Sequence, residues 1–428
     1  MKVGLEGVKI GIKGYKCYSE RKEIELRKVT ILMGPMGGGK SSLLEALALW
    51  GRVMSGEVKN EDYDMFKGSL AHLNGMHLKD LINKETDRME ISVLSSRENG
   101  IKVTYIPPEK WGISLFIRGN ERALTEDKKL VDIEILSSIV SVLIGSVEGV
   151  TPIEEDFENI KGIIDMDSLA ELERSSDLRE DLNKILNLRF ISYISFHRPS
   201  PKELVLSPEK EGAIPPDLRS YLEEREWSSD GSSLIQALIS LIVYRVGKKE
   251  NIENLEKILD DLDICDGRPC IELGLTDGIP TIKVKTKKGE LDIRNLSCGE
   301  RNCLLTILAA IQAKKGGILI MEEPEIGINI RTLSKLFREL YSLDLHLLMS
   351  THSLVPFSAI RNCIISKKLE DGKAAFSNIS LYYVNYPNLI KLELDERGIP
   401  SLLPEKLPPE QLKEEAGILK SAFFLEEG

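Results

Sequence analysis

Eight consecutive residues, Gly34-Pro35-Met36-Gly37-Gly38-Gly39-Lys40-Ser41, carry the spacing G-x-x-x-x-G-K-[ST]. Glycines at these positions let backbone N–H groups wrap phosphate oxygens with no side chain in the way. A helix opening at the lysine presents its positive end to the same oxygens. Lys40 adds a full charge, and the Ser41 hydroxyl can enter the shell of a Mg²⁺ ion. Gly34, Gly37, Gly38, Gly39, Lys40, Ser41 and the following Ser42 are therefore the candidate phosphate-binding residues. The competing reading is a glycine-rich turn that matches by chance. It is opposed by the context, an apolar run Val29–Met33 before the loop and an amphipathic stretch, 41–50, after it.

Three further groups could act on a phosphate held there. Ile318-Leu319-Ile320-Met321 ends in Glu322-Glu323-Pro324-Glu325, which puts paired carboxylates at the tip of an apolar strand, where ligands of open α/β sheets sit. Glu322 can hold Mg²⁺, and Glu323 can orient and deprotonate an attacking water. Leu296-Ser297-Cys298-Gly299-Glu300 stands at a second helix start, either as an anion site or as a plain N-cap served by Ser297 and Glu300. His352 follows the apolar run Leu347-Leu348-Met349, where it can bond a terminal phosphate or the attacking water.

The elements that must position these residues can be read from periodicity. Val8–Lys13 and Lys22–Leu26 alternate, and Val29–Met33 is the continuous apolar run of a buried parallel strand. Met89–Leu94, Gly100–Ile106 and Ile113–Ile117 read as an antiparallel meander. From 126 to 188 apolar residues recur at helical spacing without sustained heptads, so a helical insertion is expected rather than a coiled coil. Phe190–Phe196 resumes strand character, and 200–216, with four prolines, reads as a loop. Helices at 233–246, 252–262, 300–313 and 332–341 alternate with strands at 317–321 and 346–349, which favours a parallel sheet covered on both faces.

The four groups stand in one order, and with it the chain resembles the ABC-type ATPase heads of the SMC, RecF and OLD group. The Walker A motif is 34–41, the signature LSCGE is 296–300, the Walker B motif ILIMEE is 318–323, and the switch histidine is His352. The resemblance implies a P-loop NTPase of α/β class with a mainly parallel central sheet, an antiparallel β-meander and a helical insertion. It implies ATP and Mg²⁺ as cofactors, with Ser41 and Glu322 at the metal and Glu323 and His352 at the reacting phosphate. It also implies a head-to-head homodimer in which Ser297, Gly299 and Glu300 of one copy meet the nucleotide of the other. Tyr15, Tyr18 and Arg21 lie where related heads often contact adenine, and an ordinary surface or core role is an equal reading for them.

Spacing places the chain among compact, OLD-like heads. Lys40 and Ser297 are 257 residues apart, longer than in transporter subunits and without the coiled coil of SMC proteins. The 76 residues after His352 are too few for a TOPRIM nuclease domain. Glu322 replaces the usual aspartate, Met36 a common asparagine and Asn329 a common histidine. No glutamine lies between the loop and Gln236, so the metal-sensing glutamine lacks a counterpart, with His197 or Arg198 as a weak substitute. The expected layout is 1–125 and 231–390 as the two parts of one head, 126–230 as insertion and connection, and 391–428 as a tail. The expected function is an ATP-driven switch in DNA repair, DNA maintenance or antiviral defence. The alternative is a nucleotide-sensing scaffold that recruits a separate nuclease or toxin.

Composition bounds the rest. The net charge of −11 weighs against a uniformly basic nucleic-acid coat, although residues 1–60 hold 11 basic and 6 acidic side chains. The longest uncharged apolar stretch, 135–147, is 13 residues, short of the ~20 that a bilayer needs, and no signal peptide is apparent. A cytoplasmic protein is expected. Six cysteines are scattered without a CxxC pair. Cys265/Cys270 and Cys298/Cys303 read as buried structural thiols in preference to a zinc site. A thermophile-like composition, with only three glutamines, also admits a Cys265–Cys270 disulfide inside a cell.

Overall fold

The computed structural model describes residues 7–56, 76–108, 110–124, 130–150, 156, 160, 163–194, 245–276, 279–313, 315–366, 376–395 and 398–400. The loop expected at 200–216, most of the helix at 233–246, His197, Arg198, Gln236 and the tail beyond 400 lie outside these residues.

The N-terminal part comprises β1 (Val8–Lys13), β2 (Lys22–Leu26), β3 (Val29–Met33) and α1 (Lys40–Met54). The meander follows as β4 (Met89–Leu94), β5 (Gly100–Ile106), β6 (Lys110–Ile117) and β7 (Asn120–Ala123). The insertion holds α2 (Ile133–Glu148), α3 (Met166–Arg174) and α4 (Ser176–Asn187), and then β8 (Ile191–Ile194) returns to the sheet. After α5 (Arg245–Asp261) come β9 (Ile271–Thr276), β10 (Ile279–Thr286) and β11 (Gly289–Asp292). The last part is α6 (Cys298–Gln312), β12 (Ile318–Glu322), α7 (Ile330–Ser342), β13 (His346–Thr351), α8 (Val355–Ser366), β14 (Ile379–Asn385) and β15 (Asn388–Leu392).

The central sheet has the order β15-β14-β3-β13-β12-β8. Its inner strands are all parallel, and only β15 runs antiparallel, at the edge. Continuous apolar runs are what such strands require, because successive side chains point to opposite faces and both faces are covered. Leu32, Ile318, Ile320, Leu348 and Val384 enter one core with α1, the meander and α2–α4. Ile31, Leu319, Met321, Leu347 and Leu381 enter the other with α5–α8. The β1–β2 pair joins the meander in an antiparallel sheet ordered β2-β1-β4-β5-β6-β7. Among the described residues no helix is long and apolar enough to cross a membrane.

The architecture places the C-terminal ends of β3, β12, β13 and β14 side by side. From these ends emerge the glycine loop, Glu323, His352 and the β14–β15 turn, the position at which open α/β sheets bind ligands.

Several expectations need correction. The first helix begins one residue earlier and runs four residues further than 41–50, because Gly51, Arg52, Val53 and Met54 are also buried. Strands β7, β9, β10, β11, β14 and β15 were not anticipated. Of the two readings left open for Cys265 and Cys270, the disulfide is the one formed: their Cα atoms stand 5.9 Å apart across the α5–β9 connection. Cys298 is exposed rather than buried, at the start of α6.

Candidate functional site

The glycine loop is held from two sides. Gly39 has φ 94°, and a Cβ there would lie 2.7 Å from Tyr18 Oη and 3.0 Å from Cys17 Sγ. A Cβ on Gly34 would lie 2.0 Å from the Val384 carbonyl oxygen. At these two positions glycine serves both conformation and close approach. Tyr18 Oη donates to Gly39 O at 3.0 Å, and the Tyr386 amide donates to Gly38 O at 3.1 Å. The β1–β2 turn and the β14–β15 turn therefore bracket the loop.

Lys40 folds back over the loop. Its Nζ donates to Gly34 O and Pro35 O, each at 2.8 Å, and lies 3.2 Å from His352 Nδ1. The residue is 5% exposed. Burial brings its ammonium down to about 8, against the opposing pull of Glu323, Glu322 and Glu325. Ser41 is exposed at the first turn of α1, where its hydroxyl is open to a ligand, and Ser42 is half-buried beside it.

Glu323 and His352 meet. His352 Nε2 lies 2.9 Å from Glu323 Oε1, and Nδ1 lies 3.0 Å from Gly34 O. The imidazole thus spans the loop and the carboxylate, and its contacts depend on which nitrogen carries the proton. Glu323 has φ 46°, a left-handed conformation that a residue other than glycine adopts only at a cost, and its amide donates to Ser350 O at 2.8 Å. The strained backbone turns its side chain toward His352. Glu322, the last residue of β12, is 7% exposed. Tyr193, fully buried on the adjacent β8, has its phenol pushed well above the ordinary range by burial and by the nearby charges of Glu322 and Glu45.

The signature residues sit on another support. Ser297 N-caps α6: its Oγ accepts from the Glu300 amide at 3.3 Å, and Glu300 Oε2 accepts from the Ser297 amide at 2.8 Å. This reciprocal pair is a capping box. A Cβ on Gly299 would lie 2.2 Å from Gly327 O, and Asn302 Nδ2 donates to Ile326 O at 2.8 Å. The start of α6 is therefore fastened to the segment that follows Glu323. Gly34, Lys40, Glu323 and His352 are joined by direct contacts, whereas Ser297, Gly299 and Glu300 reach them only through residues 323–327.

Sequence reasoning missed three participants. Glu325 accepts from the Thr351 hydroxyl and from Ser353 Oγ at 3.4 Å, and burial raises its carboxyl above the usual range. Its place in the motif Glu322-Glu323-Pro324-Glu325 was the available signal. Asn302 gave no signal. Tyr386 lies in Asn385-Tyr386-Pro387-Asn388, a turn sequence between two alternating runs that could have been read as a hairpin. Asn329, the residue in place of the common histidine, N-caps α7 through the Thr332 amide at 3.0 Å. Met36 is 87% exposed on the loop. Tyr15, Tyr18 and Arg21 are poor candidates for a base: Tyr15 and Tyr18 are buried, and Arg21 reaches Ser92 on β4 at 2.9 Å.

The family can now be set beside this geometry. The model for the AAA domain family matches residues 9–266, more than half of the 428. The chain belongs to the AAA domain family. The matched part of this AAA protein contains the glycine loop and ends before Ser297, Glu323 and His352. Its fold is that of an α/β P-loop ATPase. No curated protein sequence matches the chain.

Three solved structures are similar to this AAA protein in outline. An Smc head bound to the C-winged helix domain of ScpA is 13% identical, with 91% of this chain and 98% of that one covered and a TM-score of 0.46. The SMC head domain from Thermotoga maritima is 11% identical, with coverage of 90% and 98% and a TM-score of 0.37. An Smc head domain with an extended coiled coil, derived from Pyrococcus furiosus and bound to the C-terminal domain of ScpA, is 14% identical, with coverage of 96% and 99% and a TM-score of 0.41. At these identities and scores no residue role is transferred from them.

Proposed function

We propose that this AAA protein binds and hydrolyses ATP and acts as a switch, two copies closing head to head around the nucleotide. One observation carries the reading: the His352 ring touches Glu323 at 2.9 Å and the opening carbonyl of the glycine loop at 3.0 Å. A base and a sensor thus stand against a phosphate cradle. Gly37, Gly38, Gly39, Lys40 and Ser42 would bind phosphate oxygens. Glu323 would take the proton of the attacking water, and His352 would hold Glu323 in place and contact the terminal phosphate.

Mg²⁺ fits the donors at this site. Ser41 and Glu322 offer hard oxygens, and the charges of Glu323, Glu322 and Glu325 act on Lys40. Among the described residues no cluster of three or more His, Cys, Asp or Glu side chains could hold a metal alone. An Mg²⁺ ion bound with phosphates takes one or two protein ligands and completes its shell with phosphate oxygens and waters. When bound, it would offset the charge of the phosphate oxygens.

Ser297, Gly299 and Glu300 are the surface proposed to meet the nucleotide of the second copy. A role in DNA maintenance or antiviral defence, with DNA or a separate nuclease as partner, rests on motif order alone. A second reading, a sensing scaffold with little turnover, is favoured by one feature. Glu322 replaces the shorter aspartate and is buried, near Tyr193 of β8.

Steady-state phosphate release separates the two readings. The switch predicts measurable release by the parent protein and a fall of about 100-fold or more in Glu323→Gln, the usual range for loss of a general base. Release that is negligible in the parent and restored by Glu322→Asp establishes the scaffold instead.

A further inference from the structure

The phosphate cradle has two flanks of different chemistry. On one, Glu323 and His352 meet the loop at Gly34 and Lys40. On the other, the Cys17 thiol is hydrogen-bonded to Ser42, Tyr18 Oη donates to Gly39 O, and the Tyr386 amide donates to Gly38 O. A phosphate chain whose terminal group faces Glu323 must extend along the loop toward the second flank, so its organic group leaves there.

That flank carries an open aromatic ring at the tip of the β14–β15 hairpin. Tyr386 is 38% exposed, although it sits against the buried Tyr18, with ring centroids 5.8 Å apart and planes at 83°. Its hydroxyl lies 3.5 Å from Ser19 Oγ. Edge contact with Tyr18, the amide bond to Gly38 and the hairpin backbone fix the ring beside the loop. Tyr18, at 1% exposure, has no free face to offer.

We infer that Tyr386 is the platform on which the nucleobase stacks. This inference rests on the nucleotide reading of the loop and deepens it. The base subsite comes from the C-terminal hairpin, not from the β1–β2 turn that holds Tyr15, Tyr18 and Arg21. A fixed aromatic ring loses little conformational freedom on binding and offers a π face to any flat heterocycle.

Calorimetric titration of the parent, Tyr386→Ala, Tyr386→Leu and Tyr386→Phe with MgATP and with magnesium tripolyphosphate tests the inference. The tripolyphosphate carries the phosphate chain without the base. Tyr386→Ala and Tyr386→Leu are expected to weaken MgATP about tenfold or more while leaving tripolyphosphate within about twofold, and Tyr386→Phe to stay near the parent for both. Where Tyr386→Ala loses both ligands through a damaged hairpin, Tyr386→Leu, which keeps the bulk, decides. Equal loss of the two ligands in Tyr386→Leu, or no loss of either, overturns the inference. A parent protein that binds neither ligand overturns the nucleotide reading itself, which is a distinct failure.

Discussion

At the residue scale the site is a short chain of contacts: Gly34 O and Lys40 Nζ against His352 Nδ1, and His352 Nε2 against Glu323. Lys40 already has two carbonyl partners, so it is pre-positioned with its charge held in place. Exchange of those partners for phosphate oxygens would set negative charge against the burial that depresses its ammonium. Lys40→Ala is expected to weaken MgATP at least about 100-fold, the loss of two charge-assisted bonds. Equilibrium titration checks this, and an affinity within about threefold of the parent would remove the loop from the site. The residues of the loop, the acidic pair and the histidine were legible in the sequence because each sits at a strand end, in an order that periodicity exposes. Tyr386, Glu325 and Asn302 were not, because their importance arises from contacts across 24 to several hundred positions of chain.

At the element scale, α6 and the segment after β12 are fastened to each other. The capping box at Ser297 and Glu300 holds the start of the helix, and Gly299 lets it approach Gly327. Ser297→Ala is expected to lower stability by about 1 kcal/mol, the ordinary cost of a lost N-cap, measured by urea denaturation. Gly299→Ala must push α6 away from residues 327–328 and so disturb the strained turn at Glu323. It is expected to slow phosphate release about tenfold or more while MgATP affinity stays within about threefold, since Lys40 is not in that chain of contacts. Equal losses in both measurements would show that α6 supports the cradle too. Strands β1–β5 and helices α6 and α7 were readable from period and punctuation. The sheet β9–β11 was missed although Ile271-Glu272-Leu273-Gly274-Leu275 and Ile282-Lys283-Val284-Lys285 alternate, whereas β7 has no apolar face to betray it: its pattern is three exposed residues and one half-buried residue.

At the scale of the whole molecule, two cores meet across one parallel sheet, and His346 sits at the base of that sheet. Burial holds its imidazole down at about 4, with Nδ1 3.2 Å from Arg27 O. In the unfolded chain it takes up a proton near its ordinary value of about 6.5. Its stabilising effect is therefore complete above about pH 6.5 and is lost as pH falls toward about 4, by up to about 3 kcal/mol. Thermal unfolding between pH 7 and 4 should show this slope, flattened in His346→Gln. The same sheet presents the glycine loop, Glu323 with His352, and Tyr386 along one rim, from which, on the proposed reading, a second copy would complete the nucleotide site. The most direct test of that account is the molar mass of Glu323→Gln by light scattering in MgATP and in MgADP. A doubled mass in MgATP and a single-chain mass in MgADP is the predicted result. The same mass in both nucleotides would contradict a switch that closes on ATP and opens on its hydrolysis.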